Sequence, residues 1–225
     1  APHLSVYVPV DISCAHLRLS CRRLAREFPA LPVLPVCADY TRPFVLPEPA
    51  RSAPRAAFFP GSTIGNFTPA AAARFLRGVA RLVGPGGLLL IGVDLRKDSA
   101  RLEAAYNDAQ GVTAAFNLNL LARINRELGA DFDLSAFAHE AVFEEEAGRI
   151  VMRLRSLRDQ VVRVAKSWIV FRAGESITTE YSYKFAPEEF ARLAARAGFA
   201  LRRTWIDREG LFSVHLLAAE GRPAG

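Results

Sequence analysis

The chain has 225 residues, 51% of them hydrophobic and 23% charged, with 29 Lys and Arg against 23 Asp and Glu. That length and apolar content exclude a small scaffold dependent on staples, and no run of about 18 uncharged apolar residues suggests a membrane-spanning helix. The basic excess is almost all arginine, scattered singly through helical patterns, so it does not form a phosphate-binding stripe. The expectation is a cytoplasmic monomer with no nucleic-acid or membrane partner.

The opening "APHLSVYVPVD" lacks the basic stretch and apolar core of a signal peptide. "SVYVPVDI" reads as a buried parallel strand, after which Ser13 caps a helix whose apolar positions include Leu17, Cys21, Leu24 and Phe28. Cys14 and Cys21 lie seven apart on one face of that helix. With Cys37 they form neither a C-x-x-C pair nor a zinc-spaced set, so free buried thiols and no metal site are expected. "LPVLPVCADY" reads as the next strand and "RAAFFPG" as the third. Thr68 then caps a helix with Pro69 at its first position, which runs to about Val83 and stops at "GPGG". "LLLIGVDL" is the fourth strand. Strands alternating with helices predict right-handed crossovers and a doubly wound, mostly parallel sheet.

After Lys97 the rhythm changes. "SARLEAAYNDAQGVTAAFNLNLLARINRELGA" is helical with a break near Gln110 and Gly111. "AHEAVFEEEAGRIVMRLRS" has two strand-like runs around a turn, and "QVVRVAKSWIVF" and "ESITTEYSYKF" continue the alternation in antiparallel fashion. Pro187 opens the helix "PEEFARLAARAG", and "LRRTWIDREGLFSVHLLAAE" reads as a closing hairpin. Residues 98–186 are thus expected to form an α+β insertion in an α/β domain made of residues 1–97 and 187–225.

In an open α/β sheet, ligands bind beyond the carboxyl ends of the strands. Asp11 ends the first strand there. Its two acceptor oxygens suit the adjacent hydroxyls of a ribose. Asp39 and Tyr40 end the second strand, where a carboxylate and a ring suit an exocyclic amine and an adenine face; the competing role for either aspartate is a turn or helix cap. After the third strand comes "FFPGSTIGNFTP". Gly61 and Gly65 let a backbone approach closely, and Asn66 carries both a donor and an acceptor, a combination that suits an amino acid's carboxylate and amine. The alternative is a loop that merely turns the chain. No Lys follows, so it is not a P-loop.

"PGSTIGN", "YNDAQGVTAAFNLNLLARINRELGADFD" and "TTEYSYKF" together resemble the histidine-specific, S-adenosylmethionine-dependent methyltransferases of ergothioneine biosynthesis, which form the trimethylated betaine hercynine. The resemblance runs from about residue 5 to residue 217. It implies a class I methyltransferase-like fold with an inserted substrate-binding domain and S-adenosylmethionine as cofactor. Asp11 would bind the ribose, and Asp39 and Tyr40 would frame the adenine. Gly61, Asn66 and the Tyr106 hydroxyl would meet the backbone of L-histidine, while Glu180 and Ser182 bond its imidazole and Met152 packs beside it. Without the resemblance, Glu180 reads as a solvent-facing charge, and Tyr106 and Met152 read as core. No residue is assigned covalent or acid–base chemistry, because positioning a neutral amine against an activated methyl is the main requirement.

Members of the family place a first strand and its Gly-rich turn upstream of the segment matching "VYVPVDI", together with tyrosines that line the substrate pocket. The present sequence has no such turn before Leu4, so a fragment or a truncated relative is expected, with an incomplete sheet and uncertain activity on its own. The competing functions are methylation of another amino acid or an indole, an inactive binding module, and nucleic-acid binding. An apolar residue at position 180 would favour the first, and lack of saturable S-adenosylhomocysteine uptake the second. Strongly salt-dependent retention would favour the last.

Overall fold

The computed structural model describes residues 4–221. Its strands and helices are β1 (Val10–Asp11), α1 (Cys14–Glu27), β2 (Val36–Cys37), α2 (Glu48–Arg51), β3 (Ala56–Phe59), α3 (Pro69–Val83), β4 (Leu88–Asp94), α4 (Ser99–Tyr106), α5 (Val112–Leu128), β5 (Phe137–Glu144), β6 (Arg149–Ser156), β7 (Gln160–Val164), β8 (Ser167–Phe171), β9 (Ser176–Tyr183), α6 (Pro187–Arg196), β10 (Phe199–Ile206) and β11 (Phe212–Ala219). A four-stranded sheet has the order β10-β11-β4-β3, with β3 parallel and β11 antiparallel to β4. β1 and β2 form a separate parallel pair.

α3 shows how the sequence builds the layer over this sheet. The Thr68 hydroxyl accepts from the amide of Ala71 at 3.3 Å, and Pro69 gives up an amide that has no helical partner at that position. Ala72, Phe75, Leu76, Val79 and Val83 are buried and fall on one stripe. At Gly84 the backbone turns to φ 77°, and its N–H bonds the Ala80 carbonyl. The stripe packs with Leu89, Ile91 and Val93 of β4, Phe190 of α6 and Leu217 of β11 into the main core.

The first two strands are shorter than their sequence patterns predict. "SVYVPVDI" and "LPVLPVCADY" pair in parallel from Tyr7 to Asp11, through bonds such as Leu34 N to Tyr7 O and Val36 N to Pro9 O. Regular strand is nevertheless confined to two residues in each. Pro9, Pro32 and Pro35 remove ladder donors, which fragments the strands. Among the described residues, neither β1 nor β3 has a strand on its second edge. α1 consequently buries only Leu17 of its predicted stripe, and Phe28 is exposed.

The expectation of three free, buried thiols is also overturned. Cys14 and Cys37 are joined as a disulfide, with Cα atoms 5.2 Å apart, and both residues are exposed; only Cys21 is free. Spacing along one helix pointed to Cys21 as the neighbour of Cys14. The parallel pairing of β1 with β2 instead brings the start of α1 to the end of β2.

The segment between β4 and α6 forms a second antiparallel sheet, β5-β6-β9, and a small hairpin, β7-β8. Leu102 of α4 packs with Ala141, Ile150 and Met152 in one small core. Leu121 of α5 packs with Phe132, Phe137, Leu154, Val162 and Phe171 in another. The break between α4 and α5 ends at Gly111, in the left-handed conformation at φ 67°.

In the main sheet, His215 is fully buried, with Thr204 Oγ1 3.0 Å from Nδ1 and Ser213 Oγ 2.9 Å from Nε2. Burial moves its pKa from 6.5 down to about 4. The unfolded chain therefore binds the extra proton first: the stabilisation is full above pH 6.5 and is lost as pH falls through 4, about 3 kcal/mol in all. Thermal unfolding midpoints measured from pH 7 to pH 4.5 are expected to fall, and to fall less steeply in His215→Asn.

Candidate active site

The loop after β3 is shaped by protein contacts. Gly61 takes a left-handed φ of 67° with open space where a side chain would stand, and its carbonyl abuts Gly92 of β4. The Ser62 hydroxyl accepts from the Asp94 amide at 2.9 Å, tying the loop to the end of β4. A 3-10 turn then spans Thr63–Asn66. A Cβ on Gly65 would lie 2.6 Å from the Tyr183 carbonyl, so this glycine admits the backbone of β9 and not a ligand. Asn66, one residue on, is exposed, and its amide makes no hydrogen bond among the described residues.

β9 approaches the same turn from the other side. Met152 of β6 opposes Glu180, but the next partners are Arg153 and Thr178, so Thr179 is an extra residue in a β-bulge. Its hydroxyl donates to the Met152 carbonyl at 3.1 Å. Beyond the bulge, strand alternation puts Glu180 and Ser182 on one face beside Met152, while Tyr181 and Tyr183 turn toward the main core. Glu180 is half-buried; burial pushes its carboxyl pKa up, and the charge of Lys184 partly offsets this.

Tyr106 reaches this face from the last turn of α4. Its hydroxyl donates to Ser182 Oγ at 2.8 Å. The helix end is fixed by Asn107, whose amide donates to the Ala141 carbonyl at 2.8 Å and accepts from the Ala141 N–H at 3.1 Å. The side chain of His139 holds the Tyr106 carbonyl at 2.8 Å through Nε2, and Asn117 Nδ2 is 2.9 Å from its Nδ1. Because Asn117 donates, the ring proton is assigned to Nε2.

Sequence reasoning missed Lys184. It is fully buried, and its Nζ lies 2.7 Å from Asp94 Oδ2, 2.8 Å from Tyr106 Oη and 2.8 Å from Ser182 Oγ. The available signal was its place in "TTEYSYKF": positions 180, 182 and 184 share the period of two that fixes a strand face.

Asp11, Asp39 and Tyr40 form a second group at the ends of β1 and β2. Asp11 Oδ1 accepts from the Ser13 amide at 2.7 Å, and Oδ2 has no partner among the described residues. Asp39 accepts from the Thr41 amide at 2.9 Å and its hydroxyl at 2.6 Å, bonds that lower its pKa. The turn roles weighed for both aspartates are therefore present. Tyr40 packs edge-on to Phe59 and Phe75, and burial, with the charges of Asp11 and Asp39, raises its phenol pKa. A cavity of about 300 Å³ lies beside this corner, lined by Thr41, Phe67, Ala71, Arg74 and Phe75. Another, of about 290 Å³, is lined in part by Arg96, Tyr183 and Glu189; neither Asn66 nor Glu180 is in its walls, and Glu189 is already paired with Arg96 at 3.2 Å.

The fold is that of S-adenosylmethionine-dependent methyltransferases. A protein of that description from Clostridium acetobutylicum superposes with a TM-score of 0.50 at 10% identity, over 97% of this chain and 85% of that one. One from Methanosarcina mazei gives 0.50 at 13% identity, over 96% and 83%. The chain belongs to the family of histidine-specific, SAM-dependent methyltransferases, whose description matches residues 2–219. It is 44% identical over 213 residues to the histidine N-alpha-methyltransferase of Mycolicibacterium smegmatis, covering 93% of this chain and 65% of that protein. The Mycobacterium tuberculosis protein of the same name is 43% identical, covering 94% and 66%. The chain thus spans just under two thirds of the length of these relatives. Ergothioneine biosynthesis protein 1 of Neurospora crassa is 36% identical over 161 residues, covering 70% of this chain and 18% of that protein.

The two loop glycines are expected to differ in kind. In Gly65→Ala the new methyl collides with a backbone carbonyl, at about 1–3 kcal/mol, whereas Gly61→Ala meets only the left-handed backbone penalty of about 1 kcal/mol. Thermal melts should show the larger drop in Tm for Gly65→Ala.

Proposed function

We propose that the protein transfers methyl groups from S-adenosylmethionine to the α-amine of L-histidine, giving hercynine for ergothioneine biosynthesis. The observation that carries this reading is the face where Glu180, Ser182 and Tyr106 converge beside Met152. A carboxylate and a hydroxyl on one face can satisfy both nitrogens of an imidazole, and an apolar thioether suits the ring's side. The name of the relatives at 44% and 43% identity supports the same substrate. In this reading residues 98–186 bind the substrate, and residues 1–97 with 187–225 bind the cofactor.

The residues at the ends of β1 and β2 fit the nucleoside half of the cofactor. Among the described residues Asp11 keeps one carboxylate oxygen unspent for ribose hydroxyls, and Tyr40 offers an apolar ring next to two carboxylates. When bound, S-adenosylmethionine supplies a methyl on a positively charged sulfur, already activated for displacement. The chain's own task is to hold the acceptor. Glu180 and Ser182 fix the ring; Asn66, whose amide is otherwise unpaired among the described residues, and Tyr106 orient the amine; Gly61 leaves room for the amino-acid backbone. Holding the nitrogen in line with the methyl converts a bimolecular encounter into an intramolecular one, and no metal or covalent nucleophile is invoked.

Calorimetry with S-adenosylhomocysteine and with L-histidine separates the two halves of the site. Loss of a charged hydrogen-bond acceptor costs about 1.5–3 kcal/mol, or roughly ten- to hundredfold in affinity. Asp11→Ala is expected to weaken S-adenosylhomocysteine by that factor. Glu180→Ala is expected to weaken histidine by a similar factor while leaving S-adenosylhomocysteine unchanged. Unaltered histidine affinity in Glu180→Ala would remove the basis for selectivity, and no saturable S-adenosylhomocysteine uptake would make the protein a binding module of another kind.

A further inference from the structure

Lys184 does more than fill the space behind the site. An ammonium has three N–H donors and no acceptor, and here all three are committed: to Asp94 Oδ2, Tyr106 Oη and Ser182 Oγ. Tyr106 and Ser182 are also bonded to each other at 2.8 Å. Because neither hydroxyl can donate to Lys184, their mutual bond consumes one hydroxyl hydrogen and leaves the other over. A phenol is the stronger donor and the poorer acceptor of the two, so Tyr106 donates. Ser182 Oγ then accepts from both Lys184 and Tyr106, which fills its lone pairs and leaves it one hydrogen to give. Glu180, two residues earlier on the same face, offers acceptor oxygens.

We propose that Lys184 is a positioning residue that fixes this hydrogen-bond polarity, so that the site accepts only a neutral ring with one unprotonated nitrogen for Ser182 and one N–H for Glu180. An imidazolium would set an N–H against the Ser182 hydrogen. The inference rests on the histidine reading of the site. It also accounts for burying a lysine at a place where an apolar side chain would avoid the desolvation cost. The charged and titratable groups around the triangle are Asp94 and Lys97 at the end of β4, Tyr106 on α4, His139 of β5 behind the Tyr106 carbonyl, and Glu180 on β9 itself.

The test is calorimetric titration of the protein with L-histidine at pH 5.5 and 7.5, in buffers of different ionisation enthalpy. With an ordinary imidazole pKa of about 6.5, roughly a tenth of free histidine has a neutral ring at pH 5.5 and about nine tenths at pH 7.5. With the α-amine entering as the ammonium it is in free histidine, and losing its proton only before methyl transfer, the ring alone sets the pH dependence: the unmodified protein is expected to bind about tenfold more weakly at pH 5.5 and to release close to one proton per histidine there. In Lys184→Met, Asp94 keeps Lys97 at 2.6 Å, while Ser182 regains a lone pair and can turn to accept from a protonated ring. The tenfold ratio should shrink to less than about threefold and the proton release should drop with it. A role confined to packing would weaken binding equally at both pH values.

Binding without proton release by the unmodified protein overturns the inference, and this measurement needs no variant that must fold. An unchanged pH ratio in Lys184→Met overturns it as well. No saturable histidine binding at either pH would instead defeat the histidine reading, and the inference with it.

Discussion

The buried ion pair between Lys184 and Asp94 is the constraint on which the site depends. A lysine ammonium with no exposed surface is tolerated only when its charge and all its protons are answered, and here a carboxylate at 2.7 Å and two hydroxyls at 2.8 Å answer them. Asp94 ends β4, and its backbone amide donates to Ser62 in the glycine loop. Lys184 follows β9, whose chain runs on to a parallel bridge between Phe185 and Leu95. One charge pair therefore ties together the end of the main sheet, the loop leading to Asn66, the strand bearing Glu180 and Ser182, and the helix bearing Tyr106.

Around that pair, precision comes from backbone contacts. The bulge at Thr179 resets the register so that Glu180 faces Met152. Asn107 holds both polar groups of Ala141, and His139 holds the carbonyl of Tyr106, so the phenol is delivered from a helix end that cannot fray freely. Gly65 lets β9 come within reach of the turn. Its missing side chain thus acts one step behind the site, bringing two protein segments together so that the neighbouring amide of Asn66 stands beside them.

At the corner of β1 and β2, the turn role of Asp11 leaves room for the proposed ligand role on the same carboxylate. Asp11 uses one oxygen to hold the start of α1 and keeps the other unspent among the described residues. Asp39 is more fully engaged by Thr41, and its depressed pKa keeps it ionised beside Tyr40. The disulfide between Cys14 and Cys37 closes the same corner, joining the first turn of α1 to the end of β2.

Local signals accounted for the elements whose rules are local. Thr68, Pro69 and Gly84 bracket α3, Gly111 separates α4 from α5, and period-two runs mark β5, β6 and β9, because caps, left-handed turns and pleats depend on neighbours a few residues away. Glu180 and Ser182 were legible only through the family resemblance of residues 178–185, since the strand pattern alone makes Glu180 a solvent-facing charge. Lys184 escaped because its meaning lies in Asp94, ninety residues earlier, and in Tyr106, seventy-eight earlier. The partner of Cys14 and the use of Gly65 escaped for the same reason. The sequence by itself determined most of the segments that fold as helix or strand, the first two strands excepted, and, through the resemblance, the residue types proposed for the site. Only the tertiary structure decided which charges meet, which cysteines pair and which hydroxyls stand beside Lys184, since those outcomes depend on distances of about 3 Å between atoms far apart along the chain.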